Sequence, residues 1–204
     1  AEGADQGAAR PIRLRGPRRR LPLRAERRGI EIQDRTVGVV GCGAIGREVA
    51  RMAIGLGARV LAYDPARPNL DLPSGFEGYV TVSELLARAD VVTLHCPPAT
   101  DGQPLIDREA FGSMRPEIVL INTARAALVD EVALVEALDQ GRLSAYATDV
   151  FEQEPPRDLI LAGHERVIAT SHIGGFTEES VDRATEIAAA NLLNALLPVG
   201  AMHA

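Results

Sequence analysis

Cysteine, lysine and long apolar runs are scarce or absent in this chain, and the shortages exclude several classes of protein. Two cysteines, Cys42 and Cys96, occur among 204 residues, which is too few for a disulfide framework. No CxxC pair or Cys/His cluster indicates zinc, so we predict no metal site. No apolar run reaches the roughly 18 residues that a membrane-spanning helix needs, so we expect no membrane partner. We therefore predict a cytoplasmic protein whose length can bury a core without cross-links.

All 22 basic residues are arginines, and they are unevenly distributed. Residues 1–30 hold nine arginines, three acidic residues and three prolines, and their apolar residues follow no helical or strand period. We interpret them as a basic, disordered leader. A mitochondrial presequence and a nucleic-acid-binding arm are alternatives, but the prolines break an amphipathic helix and arginine runs bind phosphates without specificity. The remaining chain has 13 arginines against 25 acidic residues, so we predict no specific nucleic-acid partner.

From residue 31 onward, short β-branched runs alternate with amphipathic stretches. This alternation predicts a mainly parallel sheet covered by helices on both faces. We predict a doubly wound α/β (Rossmann) domain over residues 31–197, with strand order 3-2-1-4-5-6-7 and a tail over 198–204. The predicted strands are 36–41, 59–64, 79–82, 91–96, 118–124, 144–150 and 166–172. The predicted helices are 44–57, 83–89, 107–114, 130–141 (with apolar Val132, Leu134, Val135 and Leu138) and 177–197.

A glycine-rich turn follows the first predicted strand. Its sequence, GCGAIG at residues 41–46, matches the G-x-G-x-x-G fingerprint and lies between a predicted strand and a predicted helix. Gly41 permits the tight turn, Gly43 lets a pyrophosphate approach the backbone, and Gly46 lets helix and strand pack closely. A purely structural turn is the alternative, but the strand–turn–helix context and the free N–H groups of the helix predict a dinucleotide site. Cys42 is interpreted as a packed thiol.

An acidic residue ends the second predicted strand. Asp64 comes 18 residues after Gly46, where a carboxylate can accept hydrogen bonds from both ribose hydroxyls. The same carboxylate repels a 2′-phosphate, so the sequence predicts NAD as the cofactor. Arg67 lies nearby and leaves NADP open as the alternative.

Three residues of complementary chemistry follow later predicted strands. In a parallel sheet every strand ends at one edge, so Arg125, Glu154 and His172 are expected to meet the glycine turn there. This set suits hydride transfer to a 2-keto acid: His172 can protonate the oxygen, Arg125 can hold the substrate carboxylate, and Glu154 can orient the imidazole. Each has a structural alternative, namely an ion pair of Arg125 with Asp130, a solvated Glu154 and a strand-capping His172. Their joint placement favours the catalytic interpretation.

Six segments of the chain resemble one enzyme family. They are VGVVGCGAIGREVA, VLAYDP, ADVVTLHCPPATDG, LINTARAALVDE, TDVFEQEPP and SHIGG, spread over about residues 30–195. In these segments the chain resembles the cofactor-binding domain of the D-isomer-specific 2-hydroxyacid dehydrogenases, the group that contains D-3-phosphoglycerate dehydrogenase and glyoxylate/hydroxypyruvate reductases. The resemblance implies that Arg125, Glu154 and His172 are catalytic, that Asp149 contacts the nicotinamide carboxamide, and that two copies pair through this domain. The predicted NAD-contacting residues are Gly41, Gly43, Ala44, Ile45, Gly46, Asp64, His95, Cys96, Pro97, Thr123, Ala124, Arg125, Asp149, His172 and Gly174.

The sequence departs from the family pattern in three places. Ala126 follows Arg125 where the family commonly has glycine, and its methyl group would displace Arg125 if that backbone required a positive φ. Ser171 stands where proline usually precedes the histidine. Residues 1–30 do not resemble the substrate domain that family members carry before the fingerprint, so we predict that this domain is largely missing.

These observations predict an NAD-dependent oxidoreductase that transfers hydride between NAD(H) and a 2-hydroxy or 2-keto acid, such as 3-phosphoglycerate, hydroxypyruvate or glyoxylate. The alternative is an NAD(H)-binding module without turnover, with an interaction or regulatory role, by analogy with relatives of this fold that act as NAD-sensing co-repressors. The three candidate catalytic residues favour the enzyme, whereas the missing substrate domain favours binding alone.

Overall fold

The computed structural model describes residues 29–67, 74–157 and 159–196. The chain divides into two units, Ala1–Glu31 and Ile32–Ala204. Of the first unit only residues 29–31 are described, so the predicted leader lies almost entirely outside the described residues, as does the predicted tail. The predicted domain boundaries therefore stay predictions. All the helices and strands of the described ranges belong to the second unit.

The second unit is built on one parallel sheet. Its seven strands, in chain order, are β1 (Thr36–Val40), β2 (Arg59–Tyr63), β3 (Phe76–Tyr79), β4 (Val91–Leu94), β5 (Ile118–Asn122), β6 (Leu143–Thr148) and β7 (Val167–Ala169). They lie in the order β3-β2-β1-β4-β5-β6-β7, and every neighbouring pair is parallel. This arrangement confirms the predicted strand order and the doubly wound α/β fold.

The helices connect these strands, and several begin at side chains that cap them. They are α1 (Ala44–Gly55), α2 (Val82–Arg88), α3 (Arg108–Ser113), α4 (Glu131–Asp139) and α5 (Glu178–Leu196), with a 3₁₀ helix at Ala126–Leu128. Thr81 forms a capping box with Glu84 at the start of α2. Asp107 and Asp130 accept hydrogen bonds from the first-turn amides of α3 and α4. None of the helices in the described ranges is long and apolar enough to cross a membrane.

The central strands are buried on both faces, which explains their nearly continuous apolar sequences. All five residues of β1 are buried. Val39 belongs to one apolar cluster with residues of α1 and β2, whereas the next residue, Val40, belongs to a second cluster with residues of α2, β4 and β5. Adjacent strand residues point to opposite faces, so the two clusters lie on opposite sides of the sheet. Burial on both sides makes the sheet a rigid base for the segments that follow its strands.

The structure corrects two expectations. The third strand is not residues 79–82 but Phe76–Tyr79, because the capping box of Thr81 takes the following residues into α2. In α4, Val132 is 67% exposed and does not belong to the buried face that the sequence pattern indicated. That face consists of two i, i+4 pairs, Ala133 with Ala137 and Leu134 with Leu138. Apolar periodicity alone does not show which of these residues face the sheet.

The last helix, α5 (Glu178–Leu196), lies within the predicted range 177–197 and contributes no buried residue. Thr177 accepts a hydrogen bond from the Ser180 amide (3.1 Å), so its side chain caps the start of this helix.

Candidate active site

The segments that follow the strands meet at one edge because all seven strands run in the same direction. Neighbouring strands lie about 4.8 Å apart, so the ends of β5 and β7, with β6 between them, are separated by about 10 Å. The structure therefore brings Arg125, after β5, and His172, after β7, to the same edge as the glycine turn after β1. The first residues after β1, β2, β4, β5, β6 and β7 are, in that order, Gly41, Asp64, His95, Thr123, Asp149 and Thr170.

The glycine turn needs glycine at two of its positions. Gly41 has a φ of +89°, and a Cβ there would lie 2.7 Å from the backbone of His95. A Cβ at Gly46 would collide with the carbonyl oxygen of Gly41. Because neither backbone neighbour can move away cheaply, glycine at these positions allows α1 to start directly against the end of β1.

The start of α1 is open to solvent. No side chain caps the helix at Gly43, no acidic residue lies in its first turn, and Ala44 and Ile45 are exposed. A Cβ at Gly43 would meet nothing within 4 Å. The amides and the positive end of the helix dipole therefore face free space, which fits the close approach of a pyrophosphate.

Asp64 is held rigidly beside this turn. Its Oδ2 accepts a hydrogen bond from the Cys42 amide (2.7 Å), and its Oδ1 accepts one from the Ala66 amide (2.8 Å). A carboxylate has about four acceptor positions, so two remain for ribose hydroxyls. The second strand thus presents a carboxylate where the fingerprint requires one.

The segment after β4, which begins at His95, lies directly beside the glycine turn. The His95 amide donates to Val40 O (2.7 Å), and the His95 ring lies with its Nε2 2.9 Å from Thr93 Oγ1. Burial lowers the pKa of His95, so its ring is neutral at physiological pH. Cys96 and Pro97 continue this segment along the site edge.

Neither cysteine is suited to nucleophilic chemistry. Burial raises the pKa of the Cys42 thiol to about 11, and burial also raises the pKa of Cys96. Both are free thiols, and both are protonated at neutral pH. The structure agrees with the interpretation of Cys42 as a packed thiol.

A buried asparagine shapes the loop that carries Arg125. The side chain of Asn122 has no exposed surface; its Nδ2 donates to Arg125 O (2.9 Å) and its Oδ1 accepts from the Ala124 amide (3.1 Å). Thr123 and Ala124 lie in this loop. Asn122 was not predicted as a site residue, although a polar residue at the end of the apolar run IVLIN is a visible signal.

The structural alternative for Arg125 is absent from the described residues. Asp130 caps α4, and no acidic side chain of the described ranges forms an ion pair with Arg125. Its NH1 group donates to Ala124 O (2.6 Å), which leaves other donors of the guanidinium for a ligand. Ala126 begins the 3₁₀ helix and has no positive φ, so its methyl group causes no backbone strain there.

Glu154 holds the imidazole of His172. The Nδ1 of His172 lies 2.8 Å from Glu154 Oε2, and Glu154 Oε1 accepts a hydrogen bond from the Phe151 amide (3.0 Å). The Phe151 amide and, next, His172 hold the pKa of Glu154 below its ordinary value, so this carboxyl is ionised at neutral pH. A carboxylate only accepts hydrogen bonds, so Nδ1 carries a proton and Nε2 is left for a ligand.

Asp149 is nearly buried, 5% exposed, and binds the loop after β7. Its Oδ1 accepts from the Thr170 hydroxyl (2.5 Å) and the Ile173 amide (2.9 Å), and its Oδ2 accepts from the Gly174 amide (2.8 Å). Although burial acts to raise the pKa of Asp149, these hydrogen bonds hold it below its ordinary value. One acceptor position on Oδ2 remains, so the predicted contact with a carboxamide is compatible with this geometry.

The arrangement provides an ionised carboxylate, an imidazole whose Nδ1 contacts that carboxylate and whose Nε2 is left for a ligand, and an arginine without an acidic partner among the described residues. Such a set can move a proton to or from an oxygen while it anchors an anionic group. Within the described ranges no group of three His, Cys, Asp or Glu residues is arranged to hold a metal ion.

The comparison with known proteins gives a consistent result. Residues 16–174 match the model of the family described as "D-isomer specific 2-hydroxyacid dehydrogenase, NAD binding domain". The chain is 40% identical over 159 residues to a hydroxypyruvate reductase of Thermotoga maritima, a match that covers 76% of this chain and 51% of that protein. It is also 40% identical over 170 residues to a D-3-phosphoglycerate dehydrogenase of Methanocaldococcus jannaschii, covering 83% of this chain and 32% of that protein.

The fold is shared with solved structures of similar enzymes. The crystal structure of D-lactate dehydrogenase with NAD+ from Lactobacillus jensenii matches with a TM-score of 0.73 and 33% identity, covering 79% of this chain and 52% of that chain. The chain thus spans about a third to a half of the length of these relatives. The family match extends over most of the chain, so this chain belongs to the D-isomer specific 2-hydroxyacid dehydrogenase family, of which it carries the NAD-binding domain.

Proposed function

We propose that this domain binds NAD(H) and that Arg125, Glu154 and His172 serve a reversible hydride transfer between NAD(H) and a 2-hydroxy or 2-keto acid. The observation that carries the proposal is the 2.8 Å contact between His172 Nδ1 and Glu154 Oε2. This contact leaves Nε2 free at the sheet edge where the glycine turn and Arg125 also lie.

The residues of the chain would share the work as follows. The glycine turn and Asp64 would hold NAD(H), which would supply or accept the hydride at C2 of the acid. His172 Nε2–H gives its proton to the carbonyl oxygen during reduction, and the neutral Nε2 takes the hydroxyl proton during oxidation. The Glu154 carboxylate fixes the ring orientation and stabilises the imidazolium that precedes proton transfer.

Arg125 would hold the substrate carboxylate. A guanidinium can form two parallel hydrogen bonds to a carboxylate, which fixes the orientation of the 2-carbon relative to His172. Its loop is positioned by the buried Asn122 and not by an ion pair, so its charge is available to a ligand. We propose the class of 2-hydroxy and 2-keto acids, with 3-phosphoglycerate, hydroxypyruvate and glyoxylate as candidate members, because relatives are named for such acids.

A second candidate function is NAD(H) binding without turnover, with an interaction or regulatory role. The side chains of His172 and Glu154 are 51% and 38% exposed, and Arg125 is also exposed. Hydride transfer is favoured in a site that excludes water, and the described residues leave these groups open to water.

We also propose a cytoplasmic location, in agreement with two free thiols, and pairing of two copies, in agreement with the family resemblance.

The test combines a titration with a turnover assay. We expect the fluorescence emission of NADH to change when it binds. We also expect at least one 2-keto acid of a panel to be reduced, at a rate that His172→Asn lowers by at least about a hundredfold. His164→Asn is the matched control, because His164 also contacts a carboxylate, Asp139 (3.3 Å), but lies ahead of β7 and away from the site edge. Binding without reduction of any keto acid would select the second candidate, and equal rates in both variants would remove His172 from the mechanism.

Cofactor preference has its own test. NADH should bind more tightly than NADPH, because a 2′-phosphate would face the carboxylate of Asp64. Asp64→Ser should narrow that difference, whereas Asp101→Ser, at an exposed carboxylate whose described contact is the Gln103 amide, should not. A preference for NADPH in the unchanged chain would contradict the ribose assignment and favour a role for Arg67.

A further inference from the structure

We propose that Thr170 is a positioning residue for His172 and acts through Asp149. The role matters for catalysis only if His172 acts as proposed above, so this inference rests on the proposed function. This role concerns how His172 is held in place. The loop from Thr170 to Gly174 folds around the nearly buried carboxylate of Asp149.

The loop from Thr170 to Gly174 has no buried apolar side chain to hold it. Residues 170–174 are all exposed, so no burial of apolar side chains fixes their conformation. His172 has a φ of +58°, a left-handed conformation that side chains other than glycine adopt only where the surroundings impose it. An exposed segment of this kind is expected to open easily unless strong hydrogen bonds close it.

Asp149 supplies those hydrogen bonds on both sides of the histidine. The Thr170 hydroxyl donates to Oδ1 two residues before His172, and the amides of Ile173 and Gly174 donate to the two oxygens directly after it. Hydrogen bonds to an ionised group are about twice as strong as those between neutral groups. The carboxylate therefore fixes the backbone at both ends of the strained residue.

Thr170 completes this arrangement because it closes the loop onto the sheet. Its amide donates to Thr148 O (3.0 Å) while its hydroxyl binds Asp149, which directly follows Thr148 in the chain. The same threonine thus joins the end of β7 to the end of β6. Without the hydroxyl, Asp149 Oδ1 keeps one of its two partners, and the segment before His172 loses its side-chain anchor.

The test uses Thr170→Val, which removes the hydroxyl at constant shape, and Thr170→Ser, which retains it. Thr185→Val is the matched control, since the Thr185 hydroxyl donates to Val181 O within α5 and does not touch the loop. All three are compared with the unchanged chain by nuclear magnetic resonance, with amide hydrogen exchange at Ile173 and Gly174 as one readout. The second readout is the Nδ1–H signal of His172, which reports its hydrogen bond to Glu154.

We expect Thr170→Val to speed exchange at both amides by about tenfold, as the loss of a hydrogen bond to a charged group implies. It should also weaken or abolish the His172 Nδ1–H signal, while Thr170→Ser restores both and Thr185→Val changes neither. Asp149→Asn should have a larger effect, and circular dichroism establishes that each variant is folded. Unchanged exchange and an unchanged His172 signal in Thr170→Val would overturn the proposal, as would the same change in Thr185→Val.

Hydrogen exchange and the His172 Nδ1–H signal are both measured without turnover, so they test the positioning role of Thr170 separately from the proposed enzymatic function. If the loop responds as expected but the chain reduces no 2-keto acid, the proposed function fails and the positioning of His172 stands. If turnover depends on His172 but Thr170→Val alters neither the loop nor the reduction rate, the positioning role fails and the proposed function stands. Where turnover is observed, Thr170→Val should lower kcat, and Thr170→Ser should restore it.

Discussion

Replacement of Asn122 by aspartate changes one atom in a fully buried side chain. In the native chain Asn122 Nδ2 donates to Arg125 O (2.9 Å) and Oδ1 accepts from the Ala124 amide (3.1 Å). In Asn122→Asp the second interaction is kept, but an ionised oxygen would face the carbonyl of Arg125. Two acceptors then oppose each other in a site without solvent, so the introduced carboxyl must either ionise against repulsion or remain protonated.

The size of the effect follows from these two limits. To keep the carboxyl protonated at pH 7 costs about 4 kcal/mol, because an ordinary aspartate has a pKa of about 3.9 and each pH unit above it contributes about 1.4 kcal/mol. The loss of one hydrogen bond alone costs about 1 kcal/mol. We therefore expect the free energy of unfolding to fall by about 1 to 4 kcal/mol at neutral pH.

The penalty must also depend on pH. Below about pH 4 the carboxyl is protonated in both the folded and the unfolded chain, and its O–H can donate to Arg125 O as the amide did. As the pH rises the unfolded chain releases the proton first, because burial raises the pKa of the introduced carboxyl in the folded chain. The penalty therefore grows with pH and becomes constant above the folded-state pKa.

Urea unfolding between about pH 4 and pH 8, followed by circular dichroism, measures this difference directly. Asn191→Asp is the matched control: Asn191 is exposed on α5, and the change should stay within about 0.5 kcal/mol at every pH. Equal stability of Asn122→Asp and the unchanged chain at neutral pH, or a penalty that does not vary with pH, would refute the assigned role of Asn122.

Three further predictions concern the glycine turn, Asp149 and the cysteines. Gly46→Ala should lower the free energy of unfolding by about 1–3 kcal/mol and weaken NADH binding, whereas Gly43→Ala, whose methyl group meets open space, should weaken binding only. Urea unfolding measures the first effect and NADH titration the second. Equal losses of stability in the two variants would contradict the assigned roles of these glycines. Hydrogen bonds hold the pKa of Asp149 below its ordinary value, so the ionised carboxyl stabilises the folded chain above about pH 3.9 and this contribution is lost as the pH falls further. The difference in Tm between the unchanged chain and Asp149→Asn should therefore narrow below about pH 3.9; a difference that widens there would contradict the prediction. Cys42 is buried and its pKa is about 11, so it should resist a thiol reagent until unfolding, whereas the partly exposed Cys96, whose pKa burial also raises, should react slowly. Cys96→Ser should therefore abolish this slow labelling of the native chain.

Local patterns in the sequence were sufficient for the framework of this protein. The alternation of β-branched runs and amphipathic stretches led to the observed strand order, because right-handed crossovers and parallel pairing allow few other arrangements. The same rule placed the residues after β1, β5 and β7 at one edge without any knowledge of contacts. Asp64 and the glycine turn were recognisable because their spacing along the chain is itself the signal.

The partners of individual polar groups, in contrast, were decided by the tertiary structure. Asn122 holds the Arg125 loop, and Asp149 binds three donors from a loop more than twenty residues away, because strands distant in sequence lie side by side in the sheet. Val132 is exposed because the buried face of α4 is formed by Ala133, Leu134, Ala137 and Leu138. The sequence alone thus determined which elements form and in what order, since these depend on local spacing. The bounds of β3 and the pairing of donors with acceptors depend on contacts between distant segments, and these exist only in the folded chain.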